Sequence, residues 1–166
     1  IDKSAPDTFV VGKAVGFFDD FFLVQKVSPR GEWDGFGLYP NSDLVAVSQD
    51  AEYLGMLARL LKRKNQTPPP VPKLAETGLK TVLMHGMEHN RMVGLELYKS
   101  GNQDVVGYVL AQSNLCVCLR QVGPFGEADG VCYVKTSAIT RVYLEDGDLL
   151  CLELLSQDAD GSASGT

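Results

Sequence analysis

The chain has no apolar run near the ~20 residues that a membrane-spanning helix needs, so that class of membrane protein is not expected. It shows no basic-then-apolar leader of the secretory kind and no glycine-rich phosphate loop of the P-loop or dinucleotide type. Histidine is scarce: His85 and His89 are the only two, close together, so no Ser/His/Asp arrangement can be read. An excess of positive charge is missing as well. Net charge is −6, with eight Lys/Arg against nine Asp/Glu in residues 1–66 and seven against twelve in residues 67–166. A protein that tracks phosphates shows the opposite balance, because release of condensed cations drives its binding. The one basic cluster, Lys62-Arg63-Lys64, ends a predicted helix, where it complements the negative end of the dipole.

What remains is an ordinary globular composition, 45 % hydrophobic and 22 % charged over 166 residues, which admits one medium domain or two small ones. A repeat decides in favour of two units. Residues 11–60 laid on residues 106–155, a shift of 95, align without a gap and share thirteen residues, among them Gly12, Val27, Pro29, Gly31, Asp34 and Gly35. Chance at this composition gives about three. The sharpest shared string is Val27-Ser-Pro-Arg-Gly-Glu-Trp-Asp-Gly35 against Val122-Gly-Pro-Phe-Gly-Glu-Ala-Asp-Gly130.

The second copy is the fuller one. After the proline-rich stretch Thr67-Pro-Pro-Pro-Val-Pro72, residues 75–86 predict a short helix. Strands follow over 92–98, 105–111, 115–122, 131–136 and 139–144, separated by turns rich in Gly, Asn, Asp and Ser. In the first copy, Asp50 as N-cap, Glu52 in the first turn and leucines at 54, 57, 60 and 61 predict a closing helix over 50–62. Its twin over 145–155 is weakened by Gly147. Five short antiparallel strands roll into a small barrel, which buries the apolar face and removes most of the edge. Counterparts of residues 75–96 would fall before Ile1, so the first barrel is expected to lack a leading helix and a full first strand. Either a longer native chain or another segment would supply them.

A helix and then five strands, Gly107 opening the second, Asn114-Leu115 at the next turn, and Asp-Gly before a Ser-x-Ile/Leu strand together resemble the Sm-like family of SH3-type barrels. Small bacterial Sm-like proteins of unassigned function are the particular likeness. The resemblance implies a mainly β chain of two tandem five-stranded, strongly bent antiparallel barrels. Each has a short closing helix, and a further short helix precedes the second barrel. The first repeat would be residues 1–66, a Pro-rich linker 67–74, the second repeat 75–157 and a flexible tail 158–166. It also implies a ring- or dimer-forming habit. Family members that bind RNA carry Asp and Asn between strands two and three and an Arg-Gly-Asn/Asp turn before strand five. Asn114 and Asp19 or Asp20 answer to the first. At the second, Lys135-Thr-Ser-Ala138 and Pro40-Asn-Ser-Asp43 have neither Arg nor Gly.

Four groups carry chemistry worth weighing. Cys116, Cys118, Cys132 and Cys151 have twins Phe21, Leu23, Gly37 and Met56, so the thiols are expected to pack as small hydrophobes in a reducing, cytoplasmic setting. His85-Gly-Met-Glu-His89 matches a metalloprotease pattern in which two helical imidazoles hold zinc and the Glu activates water. Gly86 inside the motif and a strand starting soon after it argue instead for a helix ending near residue 85 or 86. The Gly-Glu-x-Asp-Gly loops read as turns, and two carboxylates each make a poor calcium site. Trp33 at an exposed turn, with Phe17 and Phe18 of the aromatic row Phe17, Phe18, Phe21 and Phe22, reads as a contact surface, the rings that strand alternation turns inward packing in the core; the adjacent Asp19 and Asp20 repel phosphate.

The expectation is therefore a non-catalytic, acidic assembly or protein-binding module without cofactor, oligomeric or paired with a protein, strand edges supplying the contact. An RNA-binding Sm-like protein using Asn114, Lys135 and Asp19 is the alternative. A zinc hydrolase using His85, Glu88 and His89 is the remote one.

Overall fold

The computed structural model describes residues 9–75 and 77–163, with side chains through residue 157. Eight strands form one antiparallel sheet: β1 (Gly12–Phe17), β2 (Phe21–Val27), β3 (Trp33–Pro40), β4 (Met92–Leu97), β5 (Val105–Gln112), β6 (Cys116–Val122), β7 (Ala128–Lys135) and β8 (Ile139–Leu144). The helices are α1 (Glu52–Arg63), α2 (Gly78–Glu88) and α3 (Gly147–Ala163). No helix of the described residues is long and apolar enough to cross a membrane.

The strand order is β1-β2-β3-β8-β4-β5-β6-β7. Two meanders, β1–β3 and β5–β7, flank a central pair in which β8 bonds to β3 on one side and β4 on the other. The halves thus share one open sheet where separate five-stranded barrels were expected. The physical reason lies in β8, whose Val142 and Leu144 pair with Leu38 and Phe36 and bury completely with them.

Displaced by 95 residues, the meanders match in detail. β2 falls on β6 and β3 on β7, residue for residue, and the 3-10 turn Asn41–Asp43 falls on Thr136–Ala138. Register slips occur at Ala14/Gly16 and at Val109/Ala111, then at Gln25/Val27 and at Arg120/Val122. The shared loop has one construction in both copies. Ser28 N–H donates to Glu32 O at 2.9 Å and Gly123 N–H to Glu127 O at 2.8 Å. Gly31 and Gly126 take positive φ of 68° and 85°, and a Cβ on either would collide with Leu60 or Leu155 of the following helix. The glycines are needed for a turn that seats a loop on a helix, not for binding a cation.

The helices depart from expectation in their details. Asp50 does not cap α1: it sits at φ 56°, as does its twin Glu145 at 55°, and Ala51 occupies the cap position without a side-chain bond. α2 begins at Gly78 because Thr77 Oγ1 accepts from Lys80 N–H at 3.2 Å, a standard N-cap bond. It runs on to Glu88, past the expected end near Gly86, since Gly86 packs against Val93 and lets helix and strand approach closely. α2 spans both halves, touching β2 and β3 as well as β4, β5 and β8. One core results, uniting Leu23, Phe36 and Leu38 with Val82, Leu83, Val93, Val117 and Leu119. α3 reaches Ala163, through most of the segment expected as a tail; residues 164–166 of that tail lie outside the described residues.

The largest departure is Leu44–Gln49, the counterpart of β8. It forms a single bridge at Leu44 and otherwise no strand. β8 is held between two neighbours, whereas this segment has no described counterpart of β4 beside it. The stretch expected to stand short of that strand, residues 1–7, lies outside the described residues.

Candidate functional site

The interior of the second half and its counterpart in the first differ in one respect. In the second half Val105, Val109, Val117, Leu119, Val134 and Ile139 are all buried in the core, covered by Val82 and Leu83 of α2 and by Val93 and Leu95 of β4. Subtracting 95 turns these six into Val10, Ala14, Phe22, Val24, Tyr39 and Leu44. All six line a groove of about 550 Å³ between β1 and the segment 44–49. The groove is the inside of a half-built unit, and it is apolar because its residues are core residues by position.

Its rim is exposed: Phe17 is 72 % accessible and Val47 69 %. Inside, Phe22 and Tyr39 stack with ring centres 5.6 Å apart. Among the described residues of the lining, Asp43 is the only carboxylate. Its Oδ1 accepts from Lys99 Nζ at 2.7 Å and its Oδ2 from Arg141 at 2.8 Å. Arg141 also meets Glu96 at 3.3 Å, and the Tyr143 hydroxyl donates to the same Glu96 oxygen at 3.3 Å. Burial works to raise the Asp43 carboxyl, but Lys99 and Arg141 outweigh it and hold the group below its usual range. Glu96 and Arg141 are buried as well. These charges tie the 3-10 turn of the first half to β4 and β8 of the second.

A second apolar surface lies at the far edge. Cys118, Val131 and Tyr133 are twins of Leu23, Phe36 and Leu38, which are fully buried under β8 and α2. On β6 and β7 they are more open: Cys118 is half-buried, and Val131 and Tyr133 are 56 % and 71 % exposed. Among the described residues, β7 also leaves one edge of the sheet unpaired over eight residues.

The sequence-derived candidates scatter. Phe17 lies on the groove, but Phe18 is partly buried against α2, within contact of Gly78. Trp33 is half-buried as the first residue of β3, opposite Val27, instead of standing at an exposed turn; its Nε1 is buried without a hydrogen-bond partner among the described residues. Asp19 lies in the β1–β2 turn, while Asn114 and Lys135 lie at the β5–β6 turn and the end of β7. Three strands, β3, β8 and β4, stand between β2 and β5, the nearer strands of the two turns, so the three residues do not form one pocket.

His85 and His89 stack with ring centres 4.2 Å apart, and His89 Nδ1 lies 3.0 Å from His85 O at the end of α2. Burial, then the neighbouring His89, pushes the His85 imidazole below its usual range. The nearest carboxylate, Glu145, is 3.9 Å from His85 and also 3.5 Å from Arg91, which pairs with Glu153 at 3.0 Å. A guanidinium between the acids repels a cation, and no group of three or more His, Cys, Asp or Glu among the described residues could hold one. All four cysteines are free; Cys132 packs against the core, while Cys116 and Cys151 are exposed.

Sequence reasoning passed over Val10, Ala14, Val24, Tyr39 and Leu44–Gln49. The signal was in the repeat: the twins of these residues fall inside expected strands of a complete unit. Comparison with protein-family models, curated proteins and solved structures finds no match to this chain.

Proposed function

We propose that the chain is a non-catalytic assembly module of two Sm-like units merged into one sheet, and that whole chains join head to tail by strand pairing. One observation carries this reading. The two halves meet where β3 of the first bonds to β8 of the second, Phe36 opposite Leu144 and Leu38 opposite Val142. The twin of β3 is β7, an unpaired edge; the twin of β8 is the exposed segment 44–49. The same junction is therefore available between chains, with Val131 facing Gln49 and Tyr133 facing Val47 of the next copy. β7 has no proline, and its two charges, Asp129 and Lys135, stand toward its ends and leave residues 131–134 free of them. Four free thiols fit a reducing, cytoplasmic compartment.

A head-to-tail junction has two unlike faces, so it can be tested by complementation. Val47→Lys and Tyr133→Lys each place a charge on one exposed face and leave the fold intact by circular dichroism. Sedimentation at micromolar concentration is expected to show wild type associated and each variant alone monomeric. A mixture of the two regains one sound junction and gives a dimer. A monomeric wild type overturns the proposal. So does a Val47→Lys protein that associates like wild type while Tyr133→Lys does not, the pattern of β7 pairing with itself.

A further inference from the structure

We infer that the groove of the first half is the seat for a helix–strand segment of another polypeptide, added between β1 and residues 44–49. This rests on the equivalence of the two halves, whatever the mode by which whole chains join. In the second half the matching space is filled by α2 and β4, which precede its meander in sequence. β4 lies antiparallel to both neighbours: Val93 opposes Gly107 and Leu144, Gly94 opposes Val106 and Tyr143, and Leu95 opposes Val105 and Val142. Carried back by 95 residues, these neighbours become Gly12 with Gln49, Val11 with Ser48, and Val10 with Val47.

The seat therefore specifies its occupant. An incoming strand runs antiparallel to β1 and takes main-chain bonds from two sides at once, as in strand addition to a sheet edge. The residue opposite Gly12 and the one two places on, opposite Val10, point inward, as the fully buried Val93 and Leu95 do. Both are apolar. Gly12 leaves room for close approach at the β2 side, where a Cβ would strike Gln25 O; Gly107 stands in the same relation to Arg120 O, the twin carbonyl. The helix that precedes such a strand would lie over its open face, as α2 lies over β4. Asp43, held by Lys99 and Arg141, closes one end of the seat.

The probe is a fluorescent synthetic peptide with the sequence of residues 77–98 of this chain, which carries α2 and β4. Fluorescence anisotropy with the full chain is expected to show saturable binding. Ala14→Arg, at an exposed position of the groove lining, is expected to weaken it about tenfold or more, since a cation would occupy the apolar seat. A peptide with Gly94→Pro loses a main-chain donor in the strand and is expected to bind as poorly. Tyr133→Lys, at the opposite edge, leaves peptide binding unchanged even where it abolishes association of whole chains, so the two proposals fail separately. Equal binding of the proline peptide, or of Ala14→Arg, overturns the inference. So does absence of binding, and so does binding that appears only after residues 1–8 are deleted, because the seat would then belong to the chain's own start.

Discussion

At the scale of single residues, Asp43 bears the most consequence. Its side chain is 4 % exposed and holds Lys99 and Arg141, the first on the β4–β5 turn and the second on β8. Because these two cations keep the folded carboxyl below its unfolded value near 4, the stabilisation is complete at neutral pH and is lost as pH falls through the folded value. Asp43→Asn removes that dependence. In urea titrations between pH 6 and pH 3, the variant is expected to start less stable than wild type and to lose less stability on acidification. Equal slopes would show that other carboxylates govern the acid limb. None of this was readable from the repeat. The twins of Asp43 and Arg141 are Ala138 and Ala46, so a comparison that rewards shared residues passes over a network built from unshared ones.

At the scale of elements, the shared residues turn out to be the ones that shape turns and close approaches. Gly35 and Gly130 both have positive φ, 64° and 78°, but their surroundings differ. A Cβ on Gly35 meets Leu144 O and the backbone beyond it, whereas a Cβ on Gly130 meets nothing within 4 Å. Gly130→Ala is expected to cost about 1–2 kcal/mol, the strain of a left-handed backbone alone. Gly35→Ala should cost at least twice that, because it also disturbs the β3–β8 junction; chemical denaturation of both variants measures the difference. Periodicity and turn residues located most strands of the second half to within a residue or two, and α1 nearly so. They failed at Asp50, where a residue suited to a cap adopts φ 56° instead. They failed again at Leu44–Gln49, where a good strand sequence forms one bridge at Leu44 and finds no further strand partner among the described residues. Propensity describes a segment, whereas pairing depends on a neighbour.

At the scale of the molecule, the repeat was legible and the shared sheet was not. The alignment of residues 11–60 with residues 106–155 announces two like units but is silent on how they meet. That depends on Val142 and Leu144 of β8 burying against Leu38 and Phe36, a pairing between strands about 100 residues apart. It follows that the halves do not unfold independently. With α2 across both meanders and one core running through them, denaturant is expected to produce a single transition, with fluorescence of Trp33 in the first half and far-ultraviolet ellipticity coincident. Two separated transitions would mean that the halves are autonomous domains.

The place of β8 has a consequence for synthesis. It is the last strand among the described residues to leave the ribosome, yet it lies in the middle of the sheet with β3 on one flank and β4 on the other. Until it emerges, β3 and β4 each present a bare edge on the nascent polypeptide, and the first meander waits roughly 100 residues for the strand that anchors it. At about 5–20 residues per second that interval lasts seconds, long enough for chaperones to engage the growing chain before it locks.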